Sequence, residues 1–343
     1  MIAALDATYS VGPALSGVGV YSREILNGIA VLRPSDTFLH CYRPHRLWRG
    51  LRAARPANAR LAPLFDSWAP FGCDLFHGMN QRLPRMRFRR TVCTFHDLFV
   101  VSAEYSTPEF RARFARLAKD AADRADLIVC VSKFTASQVE GLLGVERSRL
   151  RVVHHGTRFI DPPIPVQREP WVLHVGAVQT RKNLLTLIDA FEAAAPPPWR
   201  LVLAGGDGYG ASLVKDRAAA SPARERIEFT GWIDDPKLME LYRRSSLFAF
   251  PSLDEGFGIP VLEAMSWGLP VIASNDSSLP EACGDAALLI DARNPEALAG
   301  ALRRVIEEPA LAARLAARGR ERARQRPWSV AAEETLSVYG ELL

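Results

Sequence analysis

Short apolar segments typical of strands alternate with helical segments along almost the whole chain, and this alternation restricts the fold more than any other feature. Strands that are connected by helices form parallel sheets in α/β proteins. The alternation stops at residues 161–170, DPPIPVQREP, where four prolines exclude regular structure and predict a linker. We therefore expect an α/β chain with one Rossmann-like domain on each side of this segment.

A chain of 343 residues is longer than a usual single domain, which agrees with two domains. We expect an N-terminal domain over residues 1–160, a C-terminal domain over residues 171–327, and a last helix over residues 328–343 that packs back on the N-terminal domain. Ligands of such sheets bind beyond the carboxyl ends of the strands, so we expect the site in a cleft between the domains.

The predicted elements follow from where the apolar pattern changes period. The predicted strands are Ile2–Asp6, Phe38–Tyr42, Leu75–His77, Val92–Phe95, Leu127–Val131, Val152–His154, Trp171–Val175, Arg200–Ala204, Ile227–Thr230, Leu247–Phe250, Pro270–Ala273 and Ala287–Ile290. The predicted helices are Gly19–Leu32, Pro108–Ala125, Ala136–Leu143, Asn183–Ala194, Ser212–Ala220, Pro236–Arg244, Pro260–Trp267, Pro295–Glu307 and a following Ala/Arg-rich helix to about Gln325.

The composition predicts a cytoplasmic protein. No run of about 18 apolar residues is present, so no membrane-spanning segment is expected. The first ten residues, MIAALDATYS, lack the basic leader of a signal peptide and predict a first strand. Five cysteines are scattered without CxxC spacing, which indicates reduced thiols rather than a disulfide or zinc framework.

The formal net charge of +5 is distributed unevenly. Residues 1–160 hold 23 Lys and Arg against 13 Asp and Glu, whereas the later residues hold 20 against 25. A solvated surface, an anionic acceptor and an anionic membrane each fit this excess, since basic residues near such a membrane gain on the order of 1 kcal/mol each. Nucleic acid is not expected, because no aromatic interleaving or nucleic-acid module accompanies the arginines. The arginines concentrate in two sets, Arg43, Arg46, Arg49, Arg52 and Arg55, and Arg82, Arg85, Arg87, Arg89 and Arg90.

The stretch PSLDEGFGIPVLEAMSWGLP, residues 251–270, combines a predicted strand-to-helix turn with two carboxylates, Glu255 and Glu263. Glycines in the turn let the backbone approach a ligand, and Pro260 fits the first helical turn. Helix-start amides and the helix dipole suit an anionic group such as phosphate. Glu255 precedes the helix and Glu263 lies about one turn into it, so we expect them to hold separate parts of one elongated ligand. A tight turn followed by an ordinary first-turn acid is the alternative.

Two segments of the first domain are also candidates for ligand binding. The glycine loop before the first helix ends in GVGVYS, which matches the dinucleotide fingerprint only in part, because Arg43 follows the second strand where that fingerprint needs an acid. His96 and Asp97 follow another strand, a position suited to a ligand. A buried structural histidine is the alternative reading of His96.

Arg181 and Lys182 lie between a strand and a helix start in the second domain. Cations at a helix start oppose the helix dipole, and a bound diphosphate would remove that conflict. Both side chains suit phosphate oxygens. No P-loop, Asp-x-Asp or His cluster offers a metal site, so no metal is expected.

These segments together resemble glycosyltransferase family 4, the GT-B-fold group of retaining transferases that use nucleotide-sugars. Glu255 and Glu263 match the family's Glu-x7-Glu signature. One departure is Ala177, where many members carry Arg, and it places more weight on Arg181. The resemblance covers nearly the whole chain and is carried by SGVGVYSREIL, TFHDL, VSKFTASQV, VGAVQTRKNLLTLIDAF, FTGWIDDPKLMELYRRSSLFAFPS, EGFGIPVLEAMSWGLPVIASN, SSLPEACGDAALLID and PWSVAAEETL.

The resemblance implies a role for each candidate residue. Glu255 and the neighbouring amides would hold the donor sugar and phosphate, and Glu263 would bind the ribose hydroxyls. Arg181 and Lys182 would stabilise the leaving diphosphate, and His96 would lie near the transferred sugar. The other donor-binding residues that it implies are Gly17, Val18 and Gly19 in the first domain and Gly231, Trp232, Gly256, Phe257, Gly258 and Ile259 in the second.

The most similar pattern is that of bacterial mannosyltransferase-like members that act on surface polysaccharides. It implies transfer of mannose to a hydroxyl of a glycan or lipid-linked acceptor, with a GDP-sugar favoured over a UDP-sugar as co-substrate and with no cofactor. The enzyme would be cytoplasmic, with peripheral contact to the inner face of the anionic membrane through the arginine-rich surface. The alternatives are another GT-B enzyme such as a sugar-nucleotide epimerase or phosphorylase, a nicotinamide-dependent oxidoreductase, and a non-catalytic nucleotide-binding protein.

Overall fold

The computed structural model describes residues 1–67, 72–164 and 167–343. The chain forms two compact units, Met1–Gly156 together with Trp328–Leu343, and Thr157–Pro327. The chain therefore enters the second unit before the linker predicted at residues 161–170.

Part of that predicted linker, Pro165 and Val166, lies outside the described residues. The next part is attached to the second unit by Arg168, whose guanidinium donates to backbone carbonyl oxygens of Tyr242 and Ser245 at 3.1 and 2.8 Å. The described residues of this segment, 161–164 and 167–170, contain no helix or strand, but Arg168 attaches the segment to the unit that it precedes.

Strands and helices alternate in both units. The strands are β1 (Ile2–Asp6), β2 (Thr37–Tyr42), β3 (Ala59–Pro63), β4 (Leu75–Gly78), β5 (Thr91–Phe95), β6 (Leu127–Cys130), β7 (Leu150–Val152), β8 (Trp171–Val175), β9 (Arg200–Ala204), β10 (Ile227–Gly231), β11 (Leu247–Phe250), β12 (Val271–Ser274) and β13 (Leu288–Ile290). The α-helices are α1 (Gly17–Leu32), α2 (Pro44–Arg52), α3 (Phe99–Ser102), α4 (Pro108–Arg124), α5 (Lys133–Leu143), α6 (Leu184–Ala194), α7 (Ala211–Ala219), α8 (Asp235–Arg244), α9 (Ile259–Ser266), α10 (Leu279–Cys283), α11 (Pro295–Glu307), α12 (Pro309–Arg324) and α13 (Trp328–Gly340).

The first unit contains a seven-stranded parallel sheet in the order β3-β2-β1-β4-β5-β6-β7. Its core lies between the sheet and the helices and includes Phe76, Phe95 and Ile128, none of which is exposed. The last helix, α13, packs against α1 within this unit. The two helices approach so closely that a β-carbon at Gly28 would lie 2.8 Å from the Ala332 β-carbon, which is why α1 carries a glycine there.

The second unit contains a six-stranded parallel sheet in the order β10-β9-β8-β11-β12-β13. Its core includes Leu187, Phe191 and Leu201. The expected fold class, α/β with two parallel sheets, is therefore confirmed. Within the described residues, no helix has both the length and the apolar character needed to cross a membrane.

Candidate active site

The order of strands in the second sheet selects one place for a ligand. Strand β8 pairs with β9 on one side and β11 on the other, so the chain connections reverse direction between β8 and β11. Ligands of open parallel sheets bind beyond the carboxyl ends of the strands at such a point. Arg181 and Lys182 follow β8, and Glu255 follows β11, so the topology brings these three residues together.

The three side chains form a buried ionic cluster. Lys182 Nζ lies 2.5 Å from Glu255 Oε1, and Arg181 Nη1 lies 2.9 Å from Glu255 Oε2. Arg181 also donates to the carbonyl oxygen of Asp254. Arg181, Lys182 and Glu255 are only 7, 7 and 8% exposed. One carboxylate is thus shared by two cations, and the cluster keeps one net positive charge.

The local backbone explains how two bulky cations come to lie inside the protein. Residues Thr180–Lys182 form a 3₁₀ turn that ends at Asn183, which has a φ of 57°. The Asn183 side chain donates to the Ala292 carbonyl at 2.7 Å and fixes this turn, and α6 begins at the next residue. Lys182 Nζ also lies 4.7 Å from the centre of the Phe250 ring, a cation–π distance.

Glu255 is ionised at physiological pH. Burial alone would raise the pKa of this carboxyl, but the charges of Arg181 and Lys182 outweigh that effect and lower the pKa to about 2. Ser277 Oγ accepts from the Glu255 amide at 3.1 Å, and Ser278 Oγ donates to its carbonyl at 2.8 Å, so the backbone is fixed too. A carboxylate held in this state anchors the two cations and does not act as a general acid.

The helix start predicted after Glu255 is present. Gly258 has a φ of 108° and precedes α9, and a β-carbon there would lie 2.8 Å from Leu279 Cδ2. Only glycine fits this position without strain. Gly256, Phe257 and Gly258 therefore form a buried turn between Glu255 and the start of α9 at Ile259.

Glu263 belongs to a second buried cluster. Its Oε1 lies 2.9 Å from Arg158 Nε, and its Oε2 accepts from the Tyr242 hydroxyl at 3.1 Å. Arg158 also reaches Asp235 at 2.8 Å. Burial raises the pKa of Glu263, and Arg158 opposes that shift only in part. Arg158 and Tyr242 were not identified from the sequence, although they hold both oxygens of a predicted site residue.

Gly231 and Trp232 lie at the carboxyl end of β10, two strands away from β8. Gly231 has a φ of 66°, and Trp232 is 51% exposed. The intervening strand β9 is followed by Gly205, where a β-carbon would lie only 2.0 Å from the Gly176 carbonyl oxygen. Gly205 therefore allows the backbone segments that follow two neighbouring strands, β8 and β9, to pack closely.

The glycine segment of the first unit is helical rather than a loop. We predicted the helix from Gly19, but α1 already begins at Gly17, so Gly17, Val18 and Gly19 form its first turn. Ser16 caps this turn by accepting from the Gly19 amide at 3.4 Å. A β-carbon at Gly19 would lie 2.9 Å from the Tyr9 carbonyl oxygen, so this glycine lets the preceding loop approach the helix.

His96 follows β5 and is 5% exposed. Its Nε2 lies 2.9 Å from the Met79 carbonyl oxygen, which requires the proton on Nε2. Burial lowers the pKa of His96 to about 4, so the ring is neutral at physiological pH. The ring meets Tyr21 edge-on at 4.7 Å between centroids.

A buried chain of hydrogen bonds holds Tyr21 beside His96. The Tyr21 hydroxyl lies 2.8 Å from Thr94 Oγ1, which lies 2.7 Å from His77 Nε2. His77 Nδ1 in turn lies 2.6 Å from the Tyr339 hydroxyl on α13. The last helix therefore contributes to the environment of His96. In the part of the chain that the structure describes, no group of three or more His, Cys, Asp and Glu side chains could hold a metal ion.

Comparisons with known proteins identify the family. The profile described as Glycosyltransferase Family 4 matches residues 20–158, and the one described as Glycosyl transferases group 1 matches residues 158–322. The O-antigen chain mannosyltransferase B of Escherichia coli is 29% identical and is matched over 97% of this chain and 98% of its own length.

Two solved structures have the same fold as this chain. Sucrose-phosphate synthase from Thermosynechococcus elongatus has a TM-score of 0.81 at 22% identity, covering 99% of this chain and 98% of its own. Anabaena HepE, solved with UDP and glucose, has a TM-score of 0.75 at 19% identity over 100% of this chain and 99% of its own. Because the two profiles match consecutive parts of the chain that together span residues 20–322, the chain belongs to glycosyltransferase family 4.

Proposed function

We propose that this glycosyltransferase transfers mannose from GDP-mannose to a hydroxyl of a glycan or lipid-linked acceptor in surface polysaccharide synthesis, with retention of the anomeric configuration. The observation that carries the proposal is the buried cluster of Arg181, Lys182 and Glu255 beside the start of α9. The choice of mannose is supported by the Escherichia coli relative, whose name describes mannosyl transfer to O-antigen.

The charge of the cluster fits the chemistry of this reaction. When the bond between the anomeric carbon and the diphosphate breaks, positive charge develops on the sugar and negative charge on the departing oxygen. Lys182 and Arg181 supply fixed positive charge in a site where water is largely excluded, and charge interactions there are stronger than in water. Because Glu255 holds both cations in place, little reorganisation is needed as the leaving group develops its charge.

The acceptor hydroxyl oxygen forms the new bond on the face that the diphosphate leaves, and its proton passes to the departing diphosphate oxygen. The atoms then balance without a separate general base. The low pKa of Glu255 agrees with this division of roles, since that carboxylate stays paired with cations. With two cations available for the leaving group, we propose that the reaction needs no metal ion.

A transfer assay tests this function. Purified protein is incubated in EDTA with GDP-mannose, UDP-glucose or ADP-glucose and a mannosylated acceptor, and the product linkage is assigned by NMR. We expect an α-linked mannosyl product from GDP-mannose only. Product from another donor would overturn the choice of GDP-mannose, an inverted linkage would overturn retention, and dependence on added metal would overturn the metal-free mechanism.

Helix α2 is the part of the arginine-rich segment that fits the predicted membrane contact. Trp48 and Leu51 are 65 and 52% exposed on this short helix, which also carries Arg49 and Arg52 in its last turn. Exposed Trp and Leu beside arginines is the pattern of a helix that lies in a membrane interface. The proposed peripheral contact with anionic membrane therefore centres on α2.

We expect Trp48→Ala to lower binding to phosphatidylglycerol vesicles about tenfold. A Trp side chain that becomes buried in the membrane interface is a major contributor to binding there. Flotation of the full chain measures the bound fraction. Trp232→Ala, which removes a Trp of the other unit that is 51% exposed, is the matched control. Equal losses in the two variants, or no flotation of the unmodified protein, would contradict the assignment of α2.

A further inference from the structure

A cavity of about 280 Å³ lies in the first unit at the carboxyl ends of β2 and β3. It is lined by Arg43 and His45, which follow β2, by Phe65 and Asp66, which follow β3, and by Arg82. A water molecule occupies about 30 Å³ in the liquid, so the space is large enough for a multi-atom group. Neither Arg43 nor Arg82 has a role in the donor site described above.

Arg43 is the unusual residue of this cavity, because its guanidinium is buried and incompletely satisfied. The residue is 5% exposed. Its Nη1 donates to Asp66 Oδ1 at 2.8 Å, but Nε lies 3.7 Å from Asp6 Oδ2, beyond hydrogen-bond distance. Neither Nε nor Nη2 has a hydrogen-bond partner among the described residues. Buried donors without partners cost about 1–3 kcal/mol each, so such a side chain is suited to a ligand with acceptor oxygens.

The surrounding charges favour an anion with more than one oxygen. Asp66 is shared, since Arg82 Nη2 also lies 3.4 Å from its Oδ2. Asp6 is buried beside Arg43, and burial raises its pKa. Among the described residues that line the cavity, Asp66 is the one carboxylate, and it lies against the guanidinium groups of both Arg43 and Arg82. Phosphate and diphosphate groups offer several oxygens in the geometry that arginine binds best.

We propose that this cavity binds a phosphate ester group of the acceptor, through Arg43 and Arg82. The proposal rests on the proposed glycosyl transfer and names the chemical class of its acceptor. Helix α2 begins at Pro44, directly after Arg43, and carries the exposed Trp48 and Leu51. A phosphate bound at the base of this helix would be continuous with a lipid chain held at the membrane, so a lipid-linked phosphate or diphosphate fits both features.

Binding to the full chain tests the cavity directly. Isothermal titration is performed with farnesyl diphosphate and with inorganic diphosphate, in saturating GDP so that the donor site of the second unit does not contribute. Arg82→Gln is the informative variant because this side chain is 32% exposed and its loss leaves the fold intact, which the melting temperature checks. Arg87→Gln removes an exposed charge of the same arginine set outside the cavity and is the matched control.

We expect Arg82→Gln to weaken binding of both diphosphates at least tenfold, the loss of one charge-assisted hydrogen bond, and Arg87→Gln to leave it within twofold. Asp66→Asn should tighten binding, because it removes the anion that competes for both arginines. Equal weakening by Arg82→Gln and Arg87→Gln would show diffuse attraction and overturn the proposal, as would weaker binding in Asp66→Asn.

Phosphatidylglycerol vesicles distinguish the two sources of a phosphate group. Vesicle binding that is insensitive to Arg82→Gln, together with diphosphate binding that is sensitive, supports a lipid-linked acceptor. Sensitivity of vesicle binding alone would assign the cavity to membrane headgroups and overturn its role in acceptor binding.

A transfer assay separates failure of this proposal from failure of the proposed function. The same glycan is offered on a farnesyl diphosphate and on a neutral alkyl group. We expect a KM at least tenfold lower for the diphosphate acceptor, and Arg82→Gln should remove that difference. If both acceptors are glycosylated with equal KM, the cavity proposal is wrong and the function stands. If neither is glycosylated, the function is wrong, and the binding measurements still decide the cavity.

Discussion

Replacing Lys182 by alanine is expected to lower kcat about 10²–10³-fold, the usual cost of removing one preorganised group that stabilises a developing negative charge. The residue is 7% exposed, and its Nζ contacts Glu255. After the change Glu255 keeps Arg181 as a partner at 2.9 Å, so the carboxylate is not left buried without a cation. The protein should therefore remain folded while the leaving group loses one of its two cations and the cluster loses its net positive charge.

Steady-state kinetics with the donor that proves active, together with the melting temperature, measures this effect. Lys215→Ala is the control, because Lys215 lies in the same unit but is 45% exposed and paired with Asp207. Its kcat should stay within twofold of the unmodified enzyme. Near-normal turnover in a folded Lys182→Ala protein would show that this cation does not stabilise the leaving group.

The sequence was sufficient to predict both parallel sheets, because their buried strands are short apolar runs bounded by turn residues. It was insufficient for residues 44–63, where α2 and β3 were missed. Helix α2 has few apolar residues and three arginines, and β3 is the edge strand of its sheet, in which Ala62 is the one buried residue. Helix α2 has nine residues, fewer than the window of about 11–18 residues over which helical periodicity is read, and β3 offers no continuous apolar run.

The last strand of the first sheet was predicted two residues late, at Val152–His154 instead of Leu150–Val152. The apolar pair Val152 and Val153 suggested a strand, but only Val153 is buried and it follows β7. Here packing against β6 sets the register, with Ile128 paired to Leu150, and the pairing partner is not visible in the sequence.

The sequence selected Arg181, Lys182 and Glu255 as candidate site residues, but it did not predict the contacts between them. Arg181, Lys182 and Glu255 each follow an apolar strand, which is why they could be selected. That β8 and β11 are neighbours depends on the order of the strands, and so does the contact between side chains 73 positions apart. Arg158 lies 105 positions before Glu263 and is attached to no motif, so only the folded chain reveals its role.

Arg158→Ala is expected to destabilise the protein by about 3–5 kcal/mol at neutral pH, the cost of leaving a buried ionised group without its partner. Arg158 lies 2.9 Å from Glu263, and the two side chains are 12 and 3% exposed. The matched control is Asp235→Asn, which breaks the other ion pair of Arg158 at a carboxylate that is 51% exposed. That change should cost less than about 1 kcal/mol. Urea unfolding of both variants provides the free energies.

The pH dependence separates a charge effect from simple loss of packing. Burial already raises the pKa of Glu263 above its usual value, so the folded state binds a proton more readily than the unfolded chain does. The contribution of such a group to the stability of the folded state is lost as pH rises through its folded pKa. Removing Arg158 raises the pKa of Glu263 further. The cost of Arg158→Ala should therefore be greatest at neutral pH and shrink as pH falls and Glu263 is protonated.

A cost that does not change with pH, or that equals the cost of Asp235→Asn, would show that Arg158 acts only through packing. The double change Arg158→Met with Glu263→Gln tests the same argument from the other side, because it removes both buried charges and should recover much of the lost stability.

Glu263 already accepts from Arg158 and from the Tyr242 hydroxyl, so a ribose hydroxyl must share its oxygens with these partners. Arg158 therefore fixes the carboxylate in place for that contact, and its removal should raise the KM for the donor more than it lowers kcat.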